Sequence, residues 1–184
     1  ASLFEKSLER SKHLKKRGDE LIVVDGNSRD KTLKVANKYR GLIDKFISEP
    51  DLNPSHAVNK AILNSKGKYI KLLTDDDVVY SGAMKKATSV LEMNPKIDIL
   101  ECGGILYNSI TQKTDVFYKP PGTKFGKNID DLFKYRSNGL SLILRRKSLA
   151  KIGLFPMDPI ADATFLINAF KSDALIKFCR IKLY

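Results

Sequence analysis

The sequence predicts an α/β protein whose sheet is mostly parallel in its first half and mixed in its second. Three observations predict this class. Through residue 95, short apolar or β-branched runs alternate with helical stripes, the pattern of βα units built on buried parallel strands. From residue 96 that alternation gives way to successive strand-like runs around a proline-glycine loop. The chain has 184 residues, enough for one domain with a sizeable core. A single domain over 1–184 is therefore expected, with one half at 1–95 and the other at 96–184.

Each element follows from a local pattern. Leu3, Phe4, Leu8 and Leu14 share one face of a helix that Gly18 and Asp19 end. Leu21, Ile22, Val23 and Val24 form a short buried strand. Residues 31–39 read as a helix with Leu33, Ala36 and either Tyr39 or Arg40 inward, and 42–47 as the second strand. Residues 55–65 form a helix with Ala57, Val58, Ala61 and Ile62 on one face, stopped by Gly67. Residues 69–73 are the third strand. Ala83, Met84, Ala87, Val90 and Leu91 mark a helix that ends before Pro95. In the second half, 97–106, 115–118 and 140–144 read as strands, with a loop at Pro120, Pro121 and Gly122. A helix starts at Lys147, and 162–170 is helical with Phe165, Leu166, Ala169 and Phe170 grouped. Cys102 and Cys179 sit in apolar strand patterns and are most simply core residues.

Composition excludes several classes. Hydrophobic residues make up 42% and charged residues 29%, so a disordered chain is not expected. Two cysteines are too few for a disulfide scaffold and lack metal-ligand spacing, which fits a reducing, cytoplasmic setting. No apolar run approaches the ~18 residues of a membrane span, and the first residues lack the order of a signal peptide. Thirty-three Lys and Arg against 21 Asp and Glu leave a net charge of +12. The basic residues are spread, with the densest groups at 12–17 and at Arg145, Arg146 and Lys147, and neither is interleaved with aromatics. A solvated lysine-rich surface accounts for this most simply. Attraction to an anionic membrane face or a phosphate-bearing ligand, and nucleic-acid binding, remain alternatives at this point.

Ligands of such sheets bind at the carboxyl ends of the strands. The first predicted strand runs into Asp25, Gly26, Asn27, Ser28, Arg29 and Asp30. The second runs into Ser48, Glu49, Pro50 and Asp51, and the third into Thr74, Asp75, Asp76 and Asp77. Asp30 is most simply a helix cap. Three adjacent carboxylates at the end of a strand repel one another unless a cation or donors neutralise them. Hard divalent cations take one or two carboxylates together with substrate phosphates. The triplet is therefore either a solvated turn or a metal-binding run, and its place beside two other acidic strand ends favours the metal. Asp162 opens an amphipathic helix, either as a cap or as a general base for a hydroxyl nucleophile. His13 and His56 form no dyad, and Ser28 has no histidine partner that would make it a nucleophile.

These segments resemble glycosyltransferase family 2. LIVVDGNSRDKT at 21–32 is similar to the family's VVDGGSTDGT segment. ISEPD at 47–51 followed by AVNKA at 57–61 is similar to SEPDxGxxxAxNKG, and SKGKYIKLLTDDD at 65–77 to ATGxYIxFLxSDD. LILRRKSLAKIGLF at 142–155 resembles xxFRRxxLxxxGxFDE, and Ala161-Asp162 falls where the family has a Glu-Asp pair. The segments come in family order and cover residues 21–170. The resemblance implies a GT-A fold, a Rossmann-like sheet with a nucleotide-sugar half at 1–95 and an acceptor half at 96–184. It implies inverting transfer of a sugar from a nucleotide-diphosphate donor to a hydroxyl acceptor such as a glycan or lipid-linked sugar. Asp76 and Asp77 would hold a Mg or Mn ion, Asp25, Asp51 and Asp75 would contact the nucleotide sugar, and Asp162 would be the catalytic base. No nucleic-acid partner is then expected. The surplus charge would serve a phosphate-rich donor and an acceptor at the inner membrane face.

The sequence departs from the pattern at named positions. Gly26 stands where uridine-using members often have a second Asp, and Thr74 replaces the first acidic or amide residue of the metal motif. Asn53, Pro54 and His56 replace a glycine-rich turn and an acid, Ala161 replaces the Glu beside the base, and Asn168 stands where many members have Arg. Family members also open with a strand, and the residues before 21 here look like the helix that follows it, so either this first strand is missing from the sequence or the sheet is completed some other way. Two other readings are a nucleotidyltransferase on a similar sheet and a non-catalytic nucleotide-sugar-binding domain.

Overall fold

Apolar residues on opposite faces of one mixed sheet place helices on both sides of it. The computed structural model describes residues 2–108, 110–117, 129, 130, 134 and 137–184. Its elements are α1 (Ser2–Leu14), β1 (Ile22–Asp25), α2 (Thr32–Lys38), β2 (Lys45–Ser48), α3 (Pro54–Asn64), β3 (Tyr69–Lys71) and α4 (Ser81–Met93). There follow β4 (Ile99–Asn108), β5 (Lys113–Phe117), a 3₁₀ turn (Gly139–Ser141), β6 (Leu142–Arg145), a second 3₁₀ turn (Arg146–Ser148), α5 (Leu149–Ile152), α6 (Ala161–Lys171) and β7 (Ile176–Lys182). The expected proline-glycine loop at 120–122 lies outside the described residues, as does residue 118 of the expected strand at 115–118.

β1 and β2 pair in parallel, with Asp25 opposite Ser48. The second sheet has the order β3-β6-β4-β5, with β7 also on β4. Within it β3–β6, β6–β4 and β4–β5 are antiparallel and β4–β7 is parallel. The parallel first half and mixed second half are both present. The pairing differs from expectation in one respect: β3 runs beside the antiparallel β6, and no described ladder joins β3 to β1. Instead the starts of the two strands meet through Glu20, whose carboxylate accepts the Lys66 N–H at 2.8 Å.

Alternation along β4 and β6 explains the layers. Ile99, Leu142 and Leu144 face one core with Ile62 of α3 and Phe165, Leu166 and Ala169 of α6. Leu100, Cys102 and Ile143 face the other, with Ala87 and Leu91 of α4. A third cluster joins Leu8 of α1 to Val35 of α2, to Tyr39 at the end of that helix and to part of β1. Cys102 is a core residue as expected, while Cys179 is only partly buried and packs against the same core; both are free thiols, with sulfurs 3.3 Å apart on neighbouring strands. Arg145 is not part of a basic surface. It is 3% exposed, and its guanidinium donates to the carbonyls of Leu91 and Asn94 at the end of α4 and of Ile97. The local reason is that α4 leaves carbonyls without helical partners, and a cation completes them.

Candidate active site

Four loops converge on one edge of this fold. The first follows β1. Asp25 is 6% exposed and accepts from the Ser28 N–H at 3.1 Å and the Ser48 hydroxyl at 2.7 Å. Burial opposes its ionisation, but the hydrogen bonds from Ser28, Ser48 and the turn outweigh it and hold the carboxyl below its usual range. Asn27 closes the turn at φ 70°, a conformation Asn tolerates.

The second loop follows β2. Asp51 accepts from Lys60 Nζ at 2.7 Å, and the same ammonium reaches Glu49 at 3.0 Å. A Cβ at Gly26 would lie 2.9 Å from Asp51 Oδ2, closer than real Cβ contacts come. Gly26 therefore lets the Asp51 carboxylate lie over the end of β1. The turn that replaces the glycine-rich family segment is a helix cap: the Asn53 side chain accepts the His56 N–H at 3.0 Å, with Pro54 at the start of α3. The His56 ring accepts the Leu52 N–H at 3.2 Å, a structural role.

The third loop carries the acidic run. Asp75 and Asp76 are exposed, and Asp77 is partly buried. Thr74 organises the turn, its N–H donating to Asp77 Oδ2 and its hydroxyl to Asp76 Oδ1, each at 2.7 Å. Arg10 of α1 approaches the Asp77 carbonyl at 3.4 Å. Among the described residues no three His, Cys, Asp or Glu side chains form a ready-made metal cage. The two carboxylates, each with a second oxygen beyond its bond to Thr74, are the hard-oxygen set that Mg²⁺ or Mn²⁺ takes when waters and a diphosphate complete the shell. The residues present fit such an ion.

The fourth loop carries Asp162. It is exposed in the first turn of α6, and its carboxylate does not cap its own helix. Instead Oδ2 accepts the Gly139 N–H at 2.7 Å, across 23 residues. A Cβ at Gly139 would lie 2.9 Å from both carboxylate oxygens, so only glycine admits this approach. The turn beneath is rigid, because Asn138 and Ser141 cap each other reciprocally. Lys71 of β3 donates to the Leu140 carbonyl in that turn and, at 2.9 Å, to Leu72.

The loops are tied to one another. Asn53 Nδ2 donates to Met157 ahead of α6, and Asn59 makes two hydrogen bonds with the Phe155 backbone. β6 is antiparallel to β3, so the 3₁₀ turn at 139–141 that leads into it adjoins the end of β3, from which the acidic run follows. The structure thus brings Asp162 and the 75–77 run to the same sheet edge, and Asp51 against the end of β1 beside Asp25. It adds Gly139, Asn138 and Lys71, which residue-type reasoning passes over. A glycine ahead of a strand was the signal available for Gly139, and a lysine between Ile70 and Leu72 the signal for Lys71.

This architecture is the GT-A glycosyltransferase fold. Residues 1–349 of TarS from Staphylococcus aureus, solved with UDP-GlcNAc, superpose with a TM-score of 0.76 at 20% identity, covering 96% of this chain and 51% of that one. A mannosyltransferase from Pyrobaculum calidifontis, solved with GDP-Man and Mn²⁺, gives 0.70 at 17% identity over 100% of this chain and 52% of that one. An uncharacterised glycosyltransferase of Rickettsia typhi is 30% identical over 143 residues, 74% of this chain and 44% of that protein. The chain thus spans about half the length of each of these three proteins. It belongs to glycosyltransferase family 2, whose sequence model matches residues 1–153. Among the described residues no helix is long and apolar enough to cross a membrane.

Proposed function

We propose that this chain transfers a sugar from a nucleotide-diphosphate donor to a hydroxyl acceptor with inversion, in the presence of Mg²⁺ or Mn²⁺. The observation that carries this reading is the pairing, on one sheet edge, of the 75–77 carboxylates with an Asp162 carboxylate aimed by Gly139. The ligands of the staphylococcal and Pyrobaculum neighbours, nucleotide-diphosphate sugars and in one case Mn²⁺, support the donor class.

Asp76, helped by Asp77, would hold the divalent ion, which when bound offsets charge on the diphosphate leaving group. Asp25, Asp51 and Asp75 line the donor side. Asp162 takes the proton. As the acceptor oxygen attacks the anomeric carbon, its O–H bond breaks toward the carboxylate oxygen. The bond from the anomeric carbon to the phosphate oxygen breaks on the opposite face, and the diphosphate leaves with that electron pair. The Gly139 N–H holds the other carboxylate oxygen, so one oxygen is fixed and one is presented. The +12 charge suits a phosphate-bearing acceptor, free or at an anionic membrane face. Poly(ribitol-phosphate), in the name of the staphylococcal relative, belongs to that chemistry.

The test is a thermal-shift screen of nucleoside diphosphates and their sugars with Mn²⁺, followed by transfer assays with the donor found. One nucleotide sugar should stabilise the chain and be turned over to nucleoside diphosphate. Binding without turnover would establish a non-catalytic domain, and pyrophosphate release from a triphosphate would establish nucleotidyl transfer.

A further inference from the structure

We propose that Lys71 is a positioning residue that fixes the turn holding the Asp162 carboxylate against the strand that leads into the acidic run; this rests on Asp162 being the base. Position 71 is one of the open positions of the segment that 65–77 resembles, so the resemblance assigns it no role. In β3 it lies between Ile70 and Leu72 and opposite Ile143 of β6. A partly buried ammonium needs acceptors, because removing it from water without them is costly. Lys71 takes two carbonyls, that of Leu72, the next residue along the chain, and that of Leu140 in the 3₁₀ turn.

The consequence is a short mechanical path. The acidic run follows Lys71 directly, through Leu72, Leu73 and Thr74. On the other side Leu140 neighbours Gly139, whose N–H holds Asp162 Oδ2. Asn138 and Ser141 lock the turn internally, and the Ser141 hydroxyl lies 3.2 Å from buried Glu101 on β4. The turn is therefore held from β4 on one side and from β3 on the other. The β3 anchor is the one that sets its distance from the donor site. Burial pushes the Lys71 amine down to about 8, while Asp77 favours its charged form.

The test compares Lys71→Met, which keeps the volume and removes the donor, with Lys71→Arg, which keeps a cationic donor. Amide hydrogen exchange is followed at Gly139 and Ser141 and at Ile99, Leu100 and Glu101 of β4. Turnover is followed with UDP-GlcNAc or GDP-mannose plus Mn²⁺, whichever the wild-type chain consumes. In Lys71→Met the two turn amides should exchange about tenfold faster while the β4 amides keep their rates. Turnover kcat should fall by about tenfold or more with donor KM within about twofold, since misplacing a catalytic group by 1 Å can cost ~10²-fold. Lys71→Arg should restore much of both. Unchanged turn amides, or equal acceleration in β4, would overturn the proposal whatever the activity, and so would Lys71→Met turning over at the wild-type rate. Should Lys71→Met not fold, Lys71→Arg decides: kcat and turn exchange near wild type support the proposal, and loss of both refutes it. A wild-type chain that turns over neither donor, with the turn still loosened in Lys71→Met, would refute the base assignment and leave the link to the turn standing.

Discussion

Gly139→Ala moves the Asp162 carboxylate without touching its charge. In the structure the added Cβ would stand 2.9 Å from both Asp162 oxygens, and ordinary contact begins at 3.4 Å. The carboxylate must therefore retreat by about 0.5 Å or swing aside, and in doing so it stretches or loses its 2.7 Å bond to the Gly139 N–H. A charge-assisted hydrogen bond of this kind is worth about 1.5–3 kcal/mol. If that energy is felt in the transition state, kcat falls by about 10–100-fold, at ~1.4 kcal/mol per decade. Gly139 is not in the left-handed region, so alanine adds no backbone strain, and the fold should tolerate it. The assay is steady-state transfer, with donor KM and the melting temperature measured alongside. The expected result is a loss confined to kcat. Wild-type kcat in a folded Gly139→Ala protein would refute the argument that Gly139 aims the base, and a loss carried wholly by donor KM would refute the separation of base and donor sites.

Other outcomes follow from the same contacts. Asp162→Asn keeps the size and an acceptor oxygen but removes the base, so turnover should fall by about 10²–10⁴-fold while melting is unchanged. Gly26→Ala brings a methyl to 2.9 Å from Asp51 Oδ2 and should displace that carboxylate from Lys60. Nucleotide affinity measured by calorimetry should weaken, with kcat at saturating donor retained. Lys71 gives a pH signature of defined sign. Its folded pKa of about 8 lies below the ordinary 10.5, so between those values the unfolded chain binds more protons. Folding stability contributed by this group therefore rises with pH from about 8 to 10.5, and denaturation midpoints of Lys71→Met should lack that component.

Much of the architecture was legible because it is local. Apolar stripes at helical spacing place α3, α4 and α6 within a residue or two, α1 ends at Leu14, short of the expected stop at Gly18, and the β-branched run at 21–24 places β1. The acidic run and Asp162 were legible as residue types at strand and helix ends. What was not legible depends on contacts across the chain. The pairing of β3 with β6 joins residues more than seventy positions apart, and nothing in either segment names its partner. Asp162 reads as a helix cap until Gly139 is seen against it. Lys71 and Arg145 read as solvated by charge alone. Each is drawn inward by backbone carbonyls that only the folded chain assembles. Gly26 reads as a lost acid, and in three dimensions it is the space that Asp51 occupies.

In the proposed reaction the acidic run and an ion together hold a nucleotide-diphosphate sugar. Calorimetric titration of the chain with UDP-GlcNAc and with GDP-mannose, each with and without Mn²⁺, in wild type and Asp76→Asn, tests it most directly. Saturable binding of one donor is expected, weakening about tenfold or more when Mn²⁺ is withdrawn or Asp76 is replaced. Binding of the same strength in all four conditions, or no binding of either donor, would contradict it.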